Sequence, residues 1–102
     1  MIGPKMQEAL NRHVQHETFS SYLYVAMAAW CEAKAWKGFA RWLRAQADEE
    51  RDHAAKSLEY LLARGGEARL GAIDAPPFSW PRLFWFRSRR SWRLGTMARP
   101  KS

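Results

Sequence analysis

Three polar residues at the centres of apolar helical stripes could together bind a metal ion. Glu17 lies at the centre of one stripe, Glu50 lies at the centre of a second, and His53 follows one turn later on the same face. A buried carboxylate is costly unless it is paired or metal-bound, and neither stripe contains Arg or Lys. The Glu50-x-x-His53 spacing lets a carboxylate and an imidazole reach one ion, as in carboxylate-bridged di-iron bundle sites. Oxygen and nitrogen donors without a thiolate favour Fe or Mn, and also admit Zn.

Each of these residues also has a purely structural interpretation. Glu17 could lie half-exposed at the edge of a bundle, and His53 could be a hydrogen-bonded core histidine. Tyr24 lies one to two turns beyond Glu17, so it could be a core aromatic residue or could donate a hydrogen bond to a metal ligand. His13 shares the face of Glu17 one turn away and is assigned to the core. Glu49 and its acidic neighbours are more typical of a solvated helix face.

Two long helical patterns position these residues. Pro4 suits the first position of a helix, where its missing N–H is not needed. The first stripe recurs at spacings of three and four residues and comprises Met6, Leu10, His13, Glu17, Ser20, Ser21, Tyr24, Ala28 and Cys31. A flanking apolar stripe comprises Phe19, Leu23, Ala26 and Trp30. The second pattern runs from about Phe39 to Arg64, with a stripe of Phe39, Leu43, Gln46, Glu50, His53, Ser57 and Leu61.

The two patterns predict an all-α antiparallel hairpin over residues 1–66. The pattern loosens at residues 34–38, which indicates a short turn, and Gly65 and Gly66 are a strong stop signal. Each helix would have roughly 26–28 residues and a length of about 40 Å. Residues 67–81 contain four Gly or Pro residues and predict an extended connector, and residues 82–102 an irregular tail. Because both helices are apolar on more than one face, we expect a homo-oligomer or a partly molten chain.

The net charge of +7 arises at the end of the sequence. Residues 1–75 contain all ten acidic residues and ten of the 17 basic ones, and the other seven basic residues lie in residues 76–102. Arginines interleaved with Trp80, Trp85 and Trp92 could bind nucleic acid by phosphate contacts and base stacking. The alternative is a disordered extension with no specific role, and a membrane-surface role lacks an amphipathic period.

Cysteine content and hydropathy indicate the cellular compartment of the protein. Cys31 is the single cysteine, so no internal disulfide can form, which is typical of a reducing compartment. We predict that Cys31 is a small buried residue. The longest stretch without charge or histidine runs from Thr18 to Cys31, shorter than the roughly 18 residues that a membrane span needs. The first 20 residues lack an apolar signal region. We therefore predict a cytoplasmic protein with no membrane partner.

Several stretches resemble the bacterial non-haem ferritins. They are residues 1–6 (MIGPKM), 16–24 (HETFSSYLY), 39–43 (FARWL), 46–54 (QADEERDHA) and 61–66 (LLARGG). The resemblance covers about residues 1–81 and implies the first two helices of a four-helix bundle and the start of its long crossover. It implies oxidation of Fe(II) by dioxygen or peroxide and storage of the ferric mineral in a shell.

The resemblance also implies roles for individual residues. Glu17 and His53 match terminal ligands of the first iron, and Glu50 matches the carboxylate that bridges two irons. Tyr24 resembles a tyrosine close to the ferroxidase centre, where it would be auxiliary to catalysis. Glu49 matches a position that contributes to an accessory third iron site.

The sequence departs from this family after the connector. The family draws its remaining iron ligands from a third and a fourth helix, yet no acidic residue follows Asp74 and no histidine follows His53. One hypothesis is that residues from about Arg82 onward are an out-of-frame translation. Three functions therefore stay open: an iron-binding half-bundle, in which two hairpins would supply four carboxylates and two histidines; an inactive fragment; and a nucleic-acid binder acting through the tail.

Overall fold

The computed structural model describes residues 2–80, which form two helices and an extended segment. Helix α1 spans Pro4–Ala33 and helix α2 spans Lys37–Ala63. The helices pack against each other across a tight turn, which confirms the all-α antiparallel hairpin. Helix α2 begins at Lys37 rather than at Phe39. Neither helix is long and apolar enough to cross a membrane.

Small and medium side chains fill the seam between the helices. Leu43, Leu61 and Cys31 are completely buried there, and burial raises the pKa of the Cys31 thiol to about 11. Four buried alanines let the helices approach closely: Ala28, Ala40, Ala47 and Ala54. Ser21 satisfies its buried hydroxyl by donating a hydrogen bond from Oγ to the Ala47 carbonyl oxygen, 2.8 Å away. The seam is thus both apolar and hydrogen-bonded.

Both helices end in the same backbone motif. After α2, the N–H of Gly65 donates to the Leu62 carbonyl and that of Gly66 donates to the Leu61 carbonyl, with Gly65 at φ 79°. This is a Schellman motif, in which a left-handed residue lets the chain satisfy the last carbonyls of the helix. Helix α1 ends in the same way, but its left-handed residue is Ala35 at φ 64°. Ala35 therefore has a backbone conformation that glycine adopts more readily than a residue with a side chain.

We expect the Ala35→Gly variant to be more stable than the parent. Glycine removes the strain of the left-handed backbone at this turn. It also increases the conformational entropy of the unfolded chain, which offsets part of the benefit, so the free energy of unfolding rises by about 0.5 kcal/mol. The reverse change at the equivalent position, Gly65→Ala, is expected to cost about 1 kcal/mol. Urea unfolding followed by far-ultraviolet circular dichroism measures both. Equal effects of the two substitutions would contradict this account of the helix ends.

Amide side chains on α1 hold the extended segment, residues 67–80. Gln7, Asn11 and Gln15 recur every fourth residue and so form one row on the helix. The N–H of Glu67 donates to Gln7 Oε1 at 2.9 Å, and that of Arg69 donates to Asn11 Oδ1 at 2.7 Å. Asn11 and Gln15 donate in return to the carbonyls of residues 67 and 72. Amides suit this task because each both donates and accepts, which satisfies backbone groups that have no strand partner within residues 2–80.

Trp80 closes the core at the turn end of the hairpin. Its side chain is buried, and its ring meets Trp30 edge-to-face with the centroids 6.0 Å apart. The prediction that Trp80 stacks on nucleic-acid bases is therefore wrong, because the ring is already packed inside the protein. The expected basic tail, residues 82–102, lies outside the described residues.

Candidate metal centre

The middle of the hairpin brings together the three residues that the sequence singled out, which we call the triad. Glu17 lies near the middle of α1, and Glu50 and His53 lie near the middle of α2. Because the helices run in opposite directions from a short turn, these midpoints lie at the same level. One ligand atom from each residue lies within 4.8 Å of the other two. A single metal ion could therefore contact all three.

The two carboxylates of the triad are mostly buried, whereas its imidazole is open to solvent. The side chains of Glu17 and Glu50 are 14% and 17% exposed, and that of His53 is 54% exposed. His53 Nδ1 lies 3.5 Å from Glu17 Oε1 and 3.9 Å from Glu50 Oε1. The core interpretation of His53 is therefore wrong, and Glu17 is more buried than a residue at a half-exposed edge.

The triad fits a cation by its donor atoms and by its charge. Oε1 of Glu17 is buried and accepts no hydrogen bond from the residues that the structure describes. Such an oxygen is costly unless a cation lies beside it. Within residues 2–80, the ion pairs of Glu17 and Glu50 involve only histidines, His13 and His53. A divalent ion would provide the missing positive charge, and carboxylate with imidazole suits iron.

The two carboxyl groups titrate differently because each affects the other. Burial raises the pKa of Glu50 to about 7, and the neighbouring carboxyl of Glu17 adds to the rise. Burial would also raise the pKa of Glu17, but a hydrogen bond from the Glu50 carboxyl and the nearby imidazoles of His13 and His53 lower it. Near neutral pH the metal-free pair therefore shares a proton, with the negative charge mainly on Glu17.

The raised pKa of Glu50 predicts that the metal-free protein loses stability as pH rises. Unfolded Glu50 loses its proton near pH 4.5, whereas the folded protein keeps this proton up to about pH 7. The unfolded state is therefore favoured progressively between these values. We expect Glu50→Gln, which mimics the protonated group, to gain about 1 kcal/mol at pH 8 and nothing at pH 4.

Thermal unfolding in a chelating buffer at both pH values measures this difference. Glu59→Gln is the matched control, because Glu59 lies on the same helix but is exposed. Equal gains for the two variants at pH 8 would contradict the assignment of the effect to burial of Glu50.

The other residues named from the sequence lie at different distances from the triad. Tyr24 is buried in the core, on the same side of α1 as Glu17. Glu49 is exposed and does not belong to the cluster that the triad forms. The structure therefore gathers Glu17, Glu50 and His53 at one place, while roles for Tyr24 and Glu49 stay predictions.

The prediction that His13 belongs to the core is wrong. The side chain of His13 is half-exposed, and its Nε2 lies 3.4 Å from Glu17 Oε2. The spacing of four residues between His13 and Glu17 is the signal that could have revealed this contact. His13 is thus a second imidazole beside the triad, on the side of Glu17 away from its buried oxygen.

Comparison with known proteins agrees with the motifs. The family model of the ferritin-like domain matches residues 7–84. A bacterial non-heme ferritin of Bacteroides fragilis is 39% identical over 80 residues, which cover 78% of this chain and 50% of that protein. One of Staphylococcus aureus is 41% identical over 76 residues, covering 74% and 46%. The chain spans about half the length of these curated relatives.

Solved structures give the same result. An open-pore ferritin from the archaeon Archaeoglobus fulgidus superposes with a TM-score of 0.79 at 40% identity, covering 87% of this chain and 56% of that one. An engineered closed form of the A. fulgidus ferritin gives a TM-score of 0.80 at 40% identity, covering 87% and 55%. The resemblance found in the sequence is confirmed, and the chain belongs to the ferritin family.

Proposed function

We propose that this chain binds Fe(II) at Glu17, Glu50 and His53 and takes part in iron storage. The observation that carries the proposal is the buried Oε1 of Glu17, which accepts no hydrogen bond within residues 2–80, with a second carboxylate and an imidazole within 4.8 Å. Membership of the ferritin family and the bacterial non-heme ferritins among its relatives support it. Mn(II) or Zn(II) are expected to compete for the same ligands.

The proposed chemistry is oxidation of the bound Fe(II) to Fe(III). Two Fe(II) would together give two electrons to dioxygen, which takes up two protons to form hydrogen peroxide, or to hydrogen peroxide, which takes up two protons to form water. Carboxylate ligands favour this step because they stabilise the higher charge of Fe(III). Glu17 and His53 would each hold the ion from one side, and Glu50 would lose its proton and bridge to a second ion. Oxidation at a paired site depends on ligands beyond the three in one hairpin, which an assembly would provide. A cytoplasmic location remains a prediction.

Anaerobic titration with Fe(II) tests the proposal. The purified chain, first treated with a chelator, is equilibrated with Fe(II), and the free iron is measured by filtration. We expect about one Fe(II) per chain and consumption of dioxygen when air is admitted. If the protein retains no iron at any ratio of Fe(II) to protein, the proposal is rejected. Iron retention without dioxygen consumption would keep the binding function and reject the oxidation.

The alternative functions depend on the end of the chain. Nucleic-acid binding and an out-of-frame origin were both predicted for residues from about Arg82 onward, which lie outside the described residues. Both stay predictions. An inactive fragment is the outcome that the same titration would reveal, since such a fragment retains no iron.

A further inference from the structure

The triad opens onto one side of the hairpin, which we call the site face. On α2, residues of this face immediately precede the buried residues of the seam and so lie at its edge. They are Phe39, Trp42, Gln46, His53 and Tyr60, which precede Ala40, Leu43, Ala47, Ala54 and Leu61. Phe39, Gln46, His53 and Tyr60 follow one another at intervals of seven, the repeat along which a further helix packs. The stripe contains no Arg or Lys.

Apolar surface remains exposed on the site face beside the triad. Tyr60, two turns beyond His53, is 45% exposed, and Met6 near the same end of α1 is also exposed. At the other end, Phe39 and Trp42 stack with their centroids 6.0 Å apart and are only partly buried. Exposed apolar side chains around a polar site are typical of a surface that contacts another protein. Within residues 2–80, the extended segment hydrogen-bonds to a different side of α1, along Gln7, Asn11 and Gln15.

The ligands available to the triad are fewer than two ions need. The triad of one hairpin supplies two carboxylates and one imidazole, whereas paired iron sites in helical bundles use four carboxylates and two imidazoles. Residues 75–102 contain no Asp, Glu or His, so they add no such ligand. A second copy of the hairpin adds the missing ligands in the right number, because a twofold axis repeats every ligand once.

We propose that a second copy of this chain packs its site face against the first about a twofold axis, so that the two triads form one two-metal site at their interface. This inference rests on the proposed function. The seven-residue stripes of the two α2 helices lie along the interface, and Tyr60 and Met6 of each copy become buried. Without metal, the two pairs of carboxylates repel each other across the axis. Binding of two divalent ions removes this repulsion, so dimer formation depends on metal.

Measurement of molecular mass with and without Fe(II) tests the inference. The full chain is examined by anaerobic sedimentation velocity, first with a chelator and then with Fe(II) at saturation. We expect Fe(II) to lower the dimer dissociation constant at least tenfold and to give about two irons per dimer.

Two tyrosine variants locate the interface. Tyr60→Glu places a charge on the site face, and Glu at this position can pair with Arg64 one turn later, which favours folding. Tyr22→Glu is the matched control, because Tyr22 is 50% exposed on the side of α1 away from the triad. We expect Tyr60→Glu to weaken the metal-dependent dimer at least tenfold and Tyr22→Glu to leave it unchanged. Circular dichroism establishes that both variants keep the helical content of the parent.

Each outcome bears on the inference separately from the proposed function. If the monomer binds Fe(II) as tightly as the dimer does, the role of the second copy is overturned but the iron site is kept. A dimer that is insensitive to Fe(II), or that Tyr22→Glu disrupts and Tyr60→Glu does not, would overturn the site face as the interface. An absence of Fe(II) binding in every state would overturn the proposed function itself.

Discussion

The Glu17→Gln variant is expected to bind Fe(II) at least about 100-fold more weakly than the parent. The buried Oε1 of Glu17 accepts no hydrogen bond within residues 2–80, and Glu17 carries the negative charge of the carboxyl pair because its pKa is lowered. The amide of glutamine keeps the volume of the side chain but removes the charge that attracts the cation. Since a buried charge is also removed, the metal-free variant is expected to fold at least as well as the parent.

The matched control for this experiment is Glu8→Gln. Glu8 lies on the same helix, is well exposed and pairs with Arg12 at 3.6 Å on the surface. Its substitution is expected to leave Fe(II) affinity within a factor of about two, since an exposed pair contributes little. Anaerobic titration of the three proteins under one set of conditions gives the comparison. Near-parental affinity in Glu17→Gln would show that iron, if bound, is held elsewhere.

Leu43→Ala is the substitution expected to have the largest effect on stability. Leu43 is completely buried between α1 and α2, in the same cluster as Cys31 and Ala28. Its truncation removes apolar contact and leaves a cavity, at a cost of about 3 kcal/mol. A small hairpin has little stability to spare, so much of the variant is expected to be unfolded at room temperature in the absence of metal.

Leu62→Ala provides the comparison, because Leu62 is the next residue after buried Leu61 and is largely exposed. It is expected to change the free energy of unfolding by less than about 0.5 kcal/mol. Urea unfolding in a chelating buffer measures both variants. Similar losses for the two would mean that the hairpin is not held together by the seam between its helices.

Helical periodicity explains why the fold and the triad could be predicted from the sequence. Glu17, Glu50 and His53 lie on faces that a spacing of three and four residues defines without knowledge of the partner helix. The Gly65-Gly66 stop and the tight turn near Lys34 then fix where each helix ends. Together these features align the midpoints of the helices, which is why the three residues were expected to meet.

The same periodicity could not predict how far each side chain lies from the seam. His13 shares the face of Glu17 but lies at the open edge of the hairpin, because burial also depends on how closely the helices approach at each level. Trp80 was misread for a different reason. It follows a run of prolines next to a basic segment, and its contact with Trp30 depends on the course of a chain that has no periodic pattern.

The hydrogen bond from Ser21 to the Ala47 carbonyl has a consequence for the metal site. It ties α1 to α2 one turn beyond Glu17 and one turn before Glu50. The alanines of the seam resist sliding less than Leu43 and Leu61 do, because their side chains are too small to interlock deeply. A slip by one helical turn, about 5.4 Å, would move the two carboxylates out of reach of a single ion. This hydroxyl therefore adds to the packing of Leu43 and Leu61 in fixing the axial alignment of the helices, and with it the geometry of the cation site.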